Sequence, residues 1–293
     1  MKGILLRRTR VGRENVNKII DKMETDVTLF QSRKGNITPS VSGTTENDQI
    51  IRWGCTSYLH TGIKFNKTKS IKNASNKLKA RKLMESADIP IPKTYSLNEL
   101  TYNENIIDKL PLIGRPKKHF GGRKFFYCES IVDVRNSIRK GAEYFTEFYP
   151  KSREFRVHVA HGKVLICSEK FVDDINTKVW NLRQNDDGEF QAIRWSEIPT
   201  NIAELGINAV KVLNLDFGAV DIISEPLEEG YKPAVVLEVN TAPKLGEYGS
   251  ERYAEYFDWL FRVEGKREHK EVEDYSYWRH FVWSHEALKG SDE

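Results

Sequence analysis

The chain has 293 residues, 39% of them apolar, which is enough to bury a core, supports two or three subdomains and excludes a disordered chain. A net charge of +4 is mild for this length and does not imply wholesale nucleic-acid binding. The three cysteines, Cys55, Cys128 and Cys167, are odd in number and far apart, which argues against a disulfide framework or zinc site and fits a reducing, cytoplasmic compartment. The opening MKGILLRRTRVGREN holds an apolar run too short for a signal sequence, and no later stretch approaches a membrane span.

In chain order, GILL (3–6) and VTLF (27–30) read as short buried strands with the helical pattern VNKIIDKM (16–23) between them, one βαβ-like unit. RWGCTSY (52–58) is a candidate lining for an acceptor site by its place alone. From Ile63 to Lys82 the chain carries Lys64, Lys67, Lys69, Lys72, Lys77, Lys79, Arg81 and Lys82 with no acidic residue. The ordinary reading is a solvated basic face, and a site for a polyanionic substrate is the alternative. A helix from Asn76 to Ala87, capped by Ser75 or Asn76, ends before IPIPKT, where two prolines impose an extended chain.

Strands at Leu110–Arg115 and Lys124–Cys128 bracket KKHFGG, Ser130–Gly141 has helical spacing, and Tyr144–Phe148 returns as a strand. Such a unit can close over a nucleotide: Gly121 and Gly122 free the backbone to approach phosphates, and Lys117, Lys118, Arg123 and Lys124 add charge. An ordinary glycine hairpin is the alternative, with His119 an exposed loop residue. REFRVHVAHGKVLICSEK then reads as a hairpin turning at Ala160–Lys163 with Arg156 on its first strand, and 172–188 as an exposed loop.

The stretch LDFGAVDIISEPLEEGYKPAVVLEVNTAPKL (215–245) folds Phe217–Ile223 and Ala234–Asn240 into an antiparallel hairpin around a turn at Ser224–Lys232. Strand period two places Glu238 and Asn240 on one face with Val236, sends Leu237 and Val239 to the other, and sets Asp221 opposite the first pair. Three hard oxygen donors suggest Mg²⁺, which completes its octahedron with water and substrate phosphates; polar residues facing water are the alternative. The aromatic tail at 275–290 reads as a helix docking on the body.

Four segments, NKLKARKLMESADIPIPKTY (76–95), LPLIGRPKKHFGGRKFFYC (110–128), YFTEFYPKSREFRVHVAHGKVL (144–165) and the 215–245 hairpin, stand in the order in which the chain resembles the ATP-grasp superfamily. The resemblance implies an α/β (α+β) fold. It divides into an N-terminal α/β domain (1–73), an ATP-grasp domain (74–263) with a lid at about 110–150 and a C-terminal antiparallel sheet, and a helical extension (264–293).

It also implies roles residue by residue. Lys77 in NKL stands at the lysine of a D-K-L type helix start that contacts nucleotide phosphates. Arg115 in IGRP stands where V-K-P has lysine, a departure that keeps the charge and adds a bidentate grip. YFTEFY resembles the hinge whose backbone holds adenine, through Glu147, Phe148 and Tyr149, and Glu154 matches the ribose-binding carboxylate of D-alanine:D-alanine ligases. Those ligases carry an arginine two residues before the first metal carboxylate; this chain has Ala219 there. Arg156, which resembles the phosphate clamp of ligases that add glutamate to a ribosomal protein, is therefore the candidate for the transferred phosphate, with Lys170 a second cation or a solvated strand end.

The implied cofactors are ATP and two Mg²⁺ ions, with Mn²⁺ as a substitute, held by Asp221, Glu238 and Asn240. The implied reaction joins a small-molecule or peptide carboxylate to an amine through an acyl phosphate, with no membrane partner. An ATP-grasp kinase and an inactive nucleotide-binding module are the alternatives.

Overall fold

The structure is a computed structural model and describes residues 3–8, 13–33, 36–37, 45–46, 48–57, 62–101, 106–118, 124–149, 153–172, 188–224 and 234–263. The first layer is built from β1 (Gly3–Arg8), α1 (Arg13–Lys22), β2 (Val27–Arg33), β3 (Asn36–Ile37), β4 (Gln49–Trp53) and β5 (Ile63–Phe65). Its sheet runs β3-β2-β1-β4-β5, parallel except for the β2–β3 pair, so the expected βαβ unit is present and extended. The chain leaves β1 on one side for β2 and returns on the other for β4. The strand order therefore reverses between β1 and β4, and in open α/β sheets ligands bind outside the C-terminal ends of the strands at such a point.

Two helices, α2 (Thr68–Ser75) and α3 (Lys77–Glu85), lead to the second layer: β6 (Thr94–Ser96), α4 (Leu97–Thr101), β7 (Leu112–Arg115), β8 (Phe126–Cys128), α5 (Ile131–Arg139) and β9 (Tyr144–Glu147). Asn76 is the cap of α3, its side chain accepting the Lys79 N–H at 3.1 Å. α5 starts in a reciprocal Ser130–Asp133 capping box and ends where Gly141 takes φ 103°. The antiparallel sheet β6-β9-β7-β8 closes over Tyr95, Leu112, Val134 and Phe145. β8 begins at Phe126 rather than Lys124, because Lys124 sits in the left-handed region at φ 56°.

The third layer holds β10 (Arg153–Ala160), β11 (Lys163–Val172), β12 (Gly188–Ala192), α6 (Thr200–Val212), β13 (Phe217–Ser224), β14 (Val235–Asn240) and α7 (Glu247–Val263). All neighbours in the order β12-β11-β10-β13-β14 are antiparallel. One sheet face carries Phe155, Val157, Val220, Ile222, Val236 and Val239 onto α6, which presents Ile202, Leu205, Gly206 and Ala209 at helical spacing. α7 packs Tyr253, Phe257 and Leu260 against Trp53, Phe217 and α1, with Trp53 and Tyr253 edge to face at 5.1 Å.

The placement of Val236 differs from the period-two reading. Asp221 pairs with Glu238 but Ile222 with Val236, so Leu237 is an extra residue, a β-bulge. It resets the strand phase and puts Val236 and Val239 both in the core, while Leu237 is left partly exposed. The 275–290 tail lies outside the described residues, and no described helix is long and apolar enough to cross a membrane. All three cysteines are buried free thiols.

α6 approaches β10 closely at Gly206, where an added Cβ would sit 2.8 Å from Val157 Cγ1 and 3.0 Å from its Cβ. Gly206→Ala should therefore lower stability by about 1–2 kcal/mol, because overpacking outweighs the gain in helix propensity. Urea unfolding at pH 7 checks this; an unchanged or raised midpoint means α6 shifts to admit the methyl.

Candidate active site

The sheet face turned away from α6 is polar, and strand period two is the reason. On β10 the residues Glu154, Arg156 and His158 alternate with the buried Phe155 and Val157. Across the sheet Arg156 is opposite Asp221, Asp221 is opposite Glu238, and Asn240 is opposite Ala219. On the other side Lys170 is opposite Phe190. The predicted residues Glu154, Arg156, Lys170, Asp221, Glu238 and Asn240 thus share one face of a five-stranded sheet.

Their contacts form a continuous line. Arg156 grips Asp221 bidentately, Nε to Oδ1 at 2.7 Å and Nη2 to Oδ2 at 3.0 Å. Asn240 Nδ2 donates to Glu238 Oε1 at 3.0 Å and to Asp221 Oδ2 at 3.4 Å. Lys77, at the first turn of α3, is buried with Nζ donating to the Val239 carbonyl at 2.8 Å and Asn240 Oδ1 at 3.3 Å, and lying 3.8 Å from Glu238 Oε2. Asp221 is 2% exposed, and the Arg156 guanidinium and the Asn240 amide supply the partners that a buried carboxylate needs. Burial works against the Arg156 charge, but Asp221, with Glu238 and Glu154 behind it, more than offsets this and raises the guanidinium above its usual value.

Two side chains that sequence reasoning did not single out complete the site. The Phe190 ring lies 4.4 Å from the Arg156 guanidinium and 5.9 Å from Lys170 Nζ, covering both cations. Arg81, one turn after Lys77, is buried and donates to the Leu237 carbonyl at 2.7 Å, so the carbonyl exposed by the bulge is taken up by α3. Its place beside Lys77, Leu78, Ala80 and Met84 on the buried face of α3 was a helical-periodicity signal hidden within a basic run. Of the remaining lysines of that run, Lys67, Lys69, Lys72, Lys79 and Lys82 face solvent and Lys64 is half-buried.

The lid residues have defined but different places. The Arg115 guanidinium stacks on Phe125 at 4.6 Å, at the end of β7. The Lys117 carbonyl accepts the Lys77 N–H at 2.9 Å, while its ammonium lies 4.0 Å from Glu143. Gly121, Gly122 and His119 lie outside the described residues. In the 147–149 hinge, the Glu147 carboxylate accepts from the Tyr95 hydroxyl and the Phe148 N–H donates to the Pro111 carbonyl at 3.0 Å. Proline has no N–H to return, so that strand gives the Phe148 carbonyl no partner. A purine amino group is the kind of donor such a carbonyl accepts.

The donor set suits a hard cation. Among the described residues no three His, Cys, Asp or Glu side chains cluster, so the face offers two carboxylates and one amide. With its amide turned over, Asn240 would present Oδ1 where Nδ2 now stands between Asp221 and Glu238, giving three oxygens of the kind Mg²⁺ takes. The described part of RWGCTSY abuts this strand end: a Cβ on Gly54 would lie 2.8 Å from Ala242 Cβ and 3.7 Å from Thr241 Oγ1. Asn15, in α1, reaches the same turn by donating to the Pro243 carbonyl at 3.2 Å.

Neither a protein-family model nor a curated protein sequence matches the chain. Solved structures do. D-alanine–D-alanine ligase from Bacillus anthracis complexed with ATP is similar at a TM-score of 0.65 and 15% identity, over 90% of this chain and 97% of its own. This is the ATP-grasp fold. The macrocyclase MdnC bound with precursor peptide MdnA, from Microcystis aeruginosa, is similar at 0.60 and 13% identity, over 88% and 99% of the two chains. The ATP-grasp ligase PsnB complexed with minimal precursor, Mg and ADP gives 0.60 and 13%, over 88% and 97%.

Within this ATP-grasp sheet His158 sits on the polar face yet is fully enclosed, with Nδ1 3.3 Å from the Tyr253 hydroxyl. Burial, reinforced by neighbouring Arg156, pushes its imidazole from 6.5 down to about 3. The unfolded chain therefore takes a proton there below about pH 6.5 that the folded chain refuses until about pH 3, so stability is full above that window and falls as the pH drops through it. The loss from this group between pH 7 and pH 5 should be about 2 kcal/mol. Urea unfolding at both pH values should show a smaller loss for His158→Phe; equal losses would mean His158 titrates normally in the fold.

Proposed function

We propose that this protein is an ATP- and Mg²⁺-dependent ligase that joins a carboxylate to an amine through an acyl phosphate. The observation that carries the reading is the single sheet face on which Asp221 and Glu238 stand opposed, Asn240 bonds to both, Arg156 and Lys77 reach them, and Lys170 shares the Phe190 ring with Arg156. Acyl-phosphate chemistry needs cations and a metal-binding oxygen set at the transferring phosphoryl group and little acid–base catalysis. Two of the solved relatives support the cofactors, one complexed with ATP and one with Mg and ADP. The three buried free thiols accord with a cytoplasmic location.

Asp221, Glu238 and Asn240 would hold Mg²⁺, in two ions and with Mn²⁺ as a substitute. Bound metal supplies charge neutralisation and Lewis-acid polarisation of phosphate oxygens. Lys77 and Arg115 neutralise the nucleotide phosphates from α3 and from the lid strand. The 147–149 hinge takes the base, with the Phe148 carbonyl facing its amino group, and Glu154 takes the ribose hydroxyls. Arg156 turns from Asp221 to the γ-phosphoryl group as a carboxylate oxygen of the acid attacks it and ADP leaves, and Lys170 adds a second charge. The amine nitrogen then attacks the acyl carbon, loses a proton and expels phosphate, leaving an amide.

The kinase alternative drew on the basic run at 64–82. Lys67, Lys69, Lys72, Lys79 and Lys82 face solvent, Lys64 is half-buried, and the two buried cations, Lys77 and Arg81, bond to β14, so the support for the kinase is the charge of the run alone. A screen of acid and amine pairs for ADP release, with hydroxylamine added to trap acyl phosphate as hydroxamate, tests the ligase directly. A stable phosphate ester formed without need of an amine would replace it with the kinase.

Glu238→Gln and Asn240→Ala should abolish ADP release while leaving the circular dichroism spectrum unchanged, because both side chains lie on the polar face and Val239 stays in the core. Full activity in either variant removes the metal assignment. Arg156→Ala should lower kcat by roughly 10²–10³ with little change in the affinity for a non-hydrolysable ATP analogue, the signature of a contact made chiefly in the transition state. A comparable loss of analogue affinity would instead place Arg156 on ground-state ATP.

A further inference from the structure

The N-terminal sheet holds a buried cation that nothing in the ATP site uses. Arg52, the penultimate residue of β4, is 1% exposed. Its guanidinium makes one hydrogen bond, from Nη1 to the neutral Ser57 carbonyl, and its Nε has no partner. No carboxylate pairs with it among the described residues; the charged group that responds to it is another cation, Lys64 on neighbouring β5. Burial accordingly lowers the Arg52 pKa, with the Cys55 thiol opposing weakly. A guanidinium carries five donors, and enclosing one without a counter-charge is costly, so a fold that keeps it there has a use for it.

Its position says what that use is. β4 lies beside β1 at the point where the strand order reverses, and Arg52 is at the C-terminal end of β4, the end at which such sheets bind ligands. Two residues further on, Gly54 packs on Ala242, itself two residues beyond Asn240. The loop that follows β4 and the turn that follows Asn240 therefore meet at Gly54 and Ala242.

We infer that Arg52 receives a non-reacting carboxylate of the substrate. This rests on the ligase reading and narrows its substrate class: either the acid is a dicarboxylate or the amine acceptor is an amino acid. In both cases the anion replaces the neutral Ser57 carbonyl at Nη1 and gains the idle Nε, giving the fork that guanidinium groups offer carboxylates.

The test uses pairs of compounds that differ by one carboxylate: butyrate with succinate and pentanoate with glutarate as acids, ethylamine with glycine and propylamine with β-alanine as acceptors. Binding is measured calorimetrically to the full chain saturated with Mg²⁺ and a non-hydrolysable ATP analogue. The carboxylate-bearing member of at least one pair should bind at least tenfold more tightly; Arg52→Gln should abolish the difference, and Arg52→Lys should retain part of it. Analogue affinity and thermal melting of each variant show that nucleotide site and fold survive, and Arg52→Lys provides the reading if Arg52→Gln fails to fold. Preference among the acids assigns the anion to the acid, and preference among the amines assigns it to the acceptor. No preference in any pair, or a preference that persists in Arg52→Gln, overturns the inference. Hydroxamate trapping is scored separately on the acids: Arg52-dependent binding of an acid that gives no hydroxamate would remove the ligase reading and leave this anion site standing, whereas hydroxamate from both members of each acid pair, unchanged in Arg52→Gln, would do the reverse.

Discussion

Two carboxylates held face to face away from water set the terms for the third layer of this protein. Asp221 and Glu238 are direct cross-strand partners, an arrangement in which like charges repel, and Asp221 is almost completely enclosed. The repulsion is met from three directions: Arg156 from β10, Lys77 from the start of α3, and the Asn240 amide from the same strand as Glu238. Removing one partner from a buried pair of this kind costs about 3–5 kcal/mol, so the elements that deliver these side chains are coupled to one another. In the ligase we propose, Mg²⁺ would meet the need of the same two carboxylates and leave the cations for phosphate.

The bulge at Leu237 is the device that lets one strand do this. Without an extra residue, Val236 would share the polar face with Glu238; with it, Val236 joins Val239 in the core under α6. The carbonyl that the bulge frees is bound by Arg81, and the Val236 N–H donates to the Pro90 carbonyl, so the outer edge of β14 is closed by α3 and the segment after it. Because Lys77 and Arg81 are one helical turn apart, the same helix that neutralises the carboxylates also fixes the backbone that carries them. Gly54 and Asn15 add the N-terminal sheet at the far end of the strand, through Ala242 and Pro243.

Much of this was legible because it rests on short-range periodicity. The strands around Arg156 and at Phe217–Ile223 and the 3.6-residue spacing of α5 follow from local chemistry, and strand period two set Asp221, Glu238 and Asn240 together, whereas Glu154, Arg156 and Lys170 were singled out by the resemblance. What escaped depends on partners distant in sequence. The bulge exists only relative to β13, so a single-strand reading put Val236 on the wrong side. Phe190 acquires meaning only when β12 pairs with β11 and its ring comes over Arg156, and Arg81 was masked by the lysines around it. α7 carries Tyr253, Phe257 and Leu260 at helical spacing, yet its role in joining two sheets needs Trp53 and Phe217 in view.

In the proposed ligase an acid is activated by transfer of the ATP γ-phosphoryl group to it, beside the opposed carboxylates and their cations. With an acid that supports ADP release in hand, its carboxylate is labelled with ¹⁸O and the inorganic phosphate formed with the amine is weighed by mass spectrometry. An acyl phosphate transfers one labelled oxygen to phosphate at each turnover, and that is the result expected here. Amide product accompanied by unlabelled phosphate would contradict it.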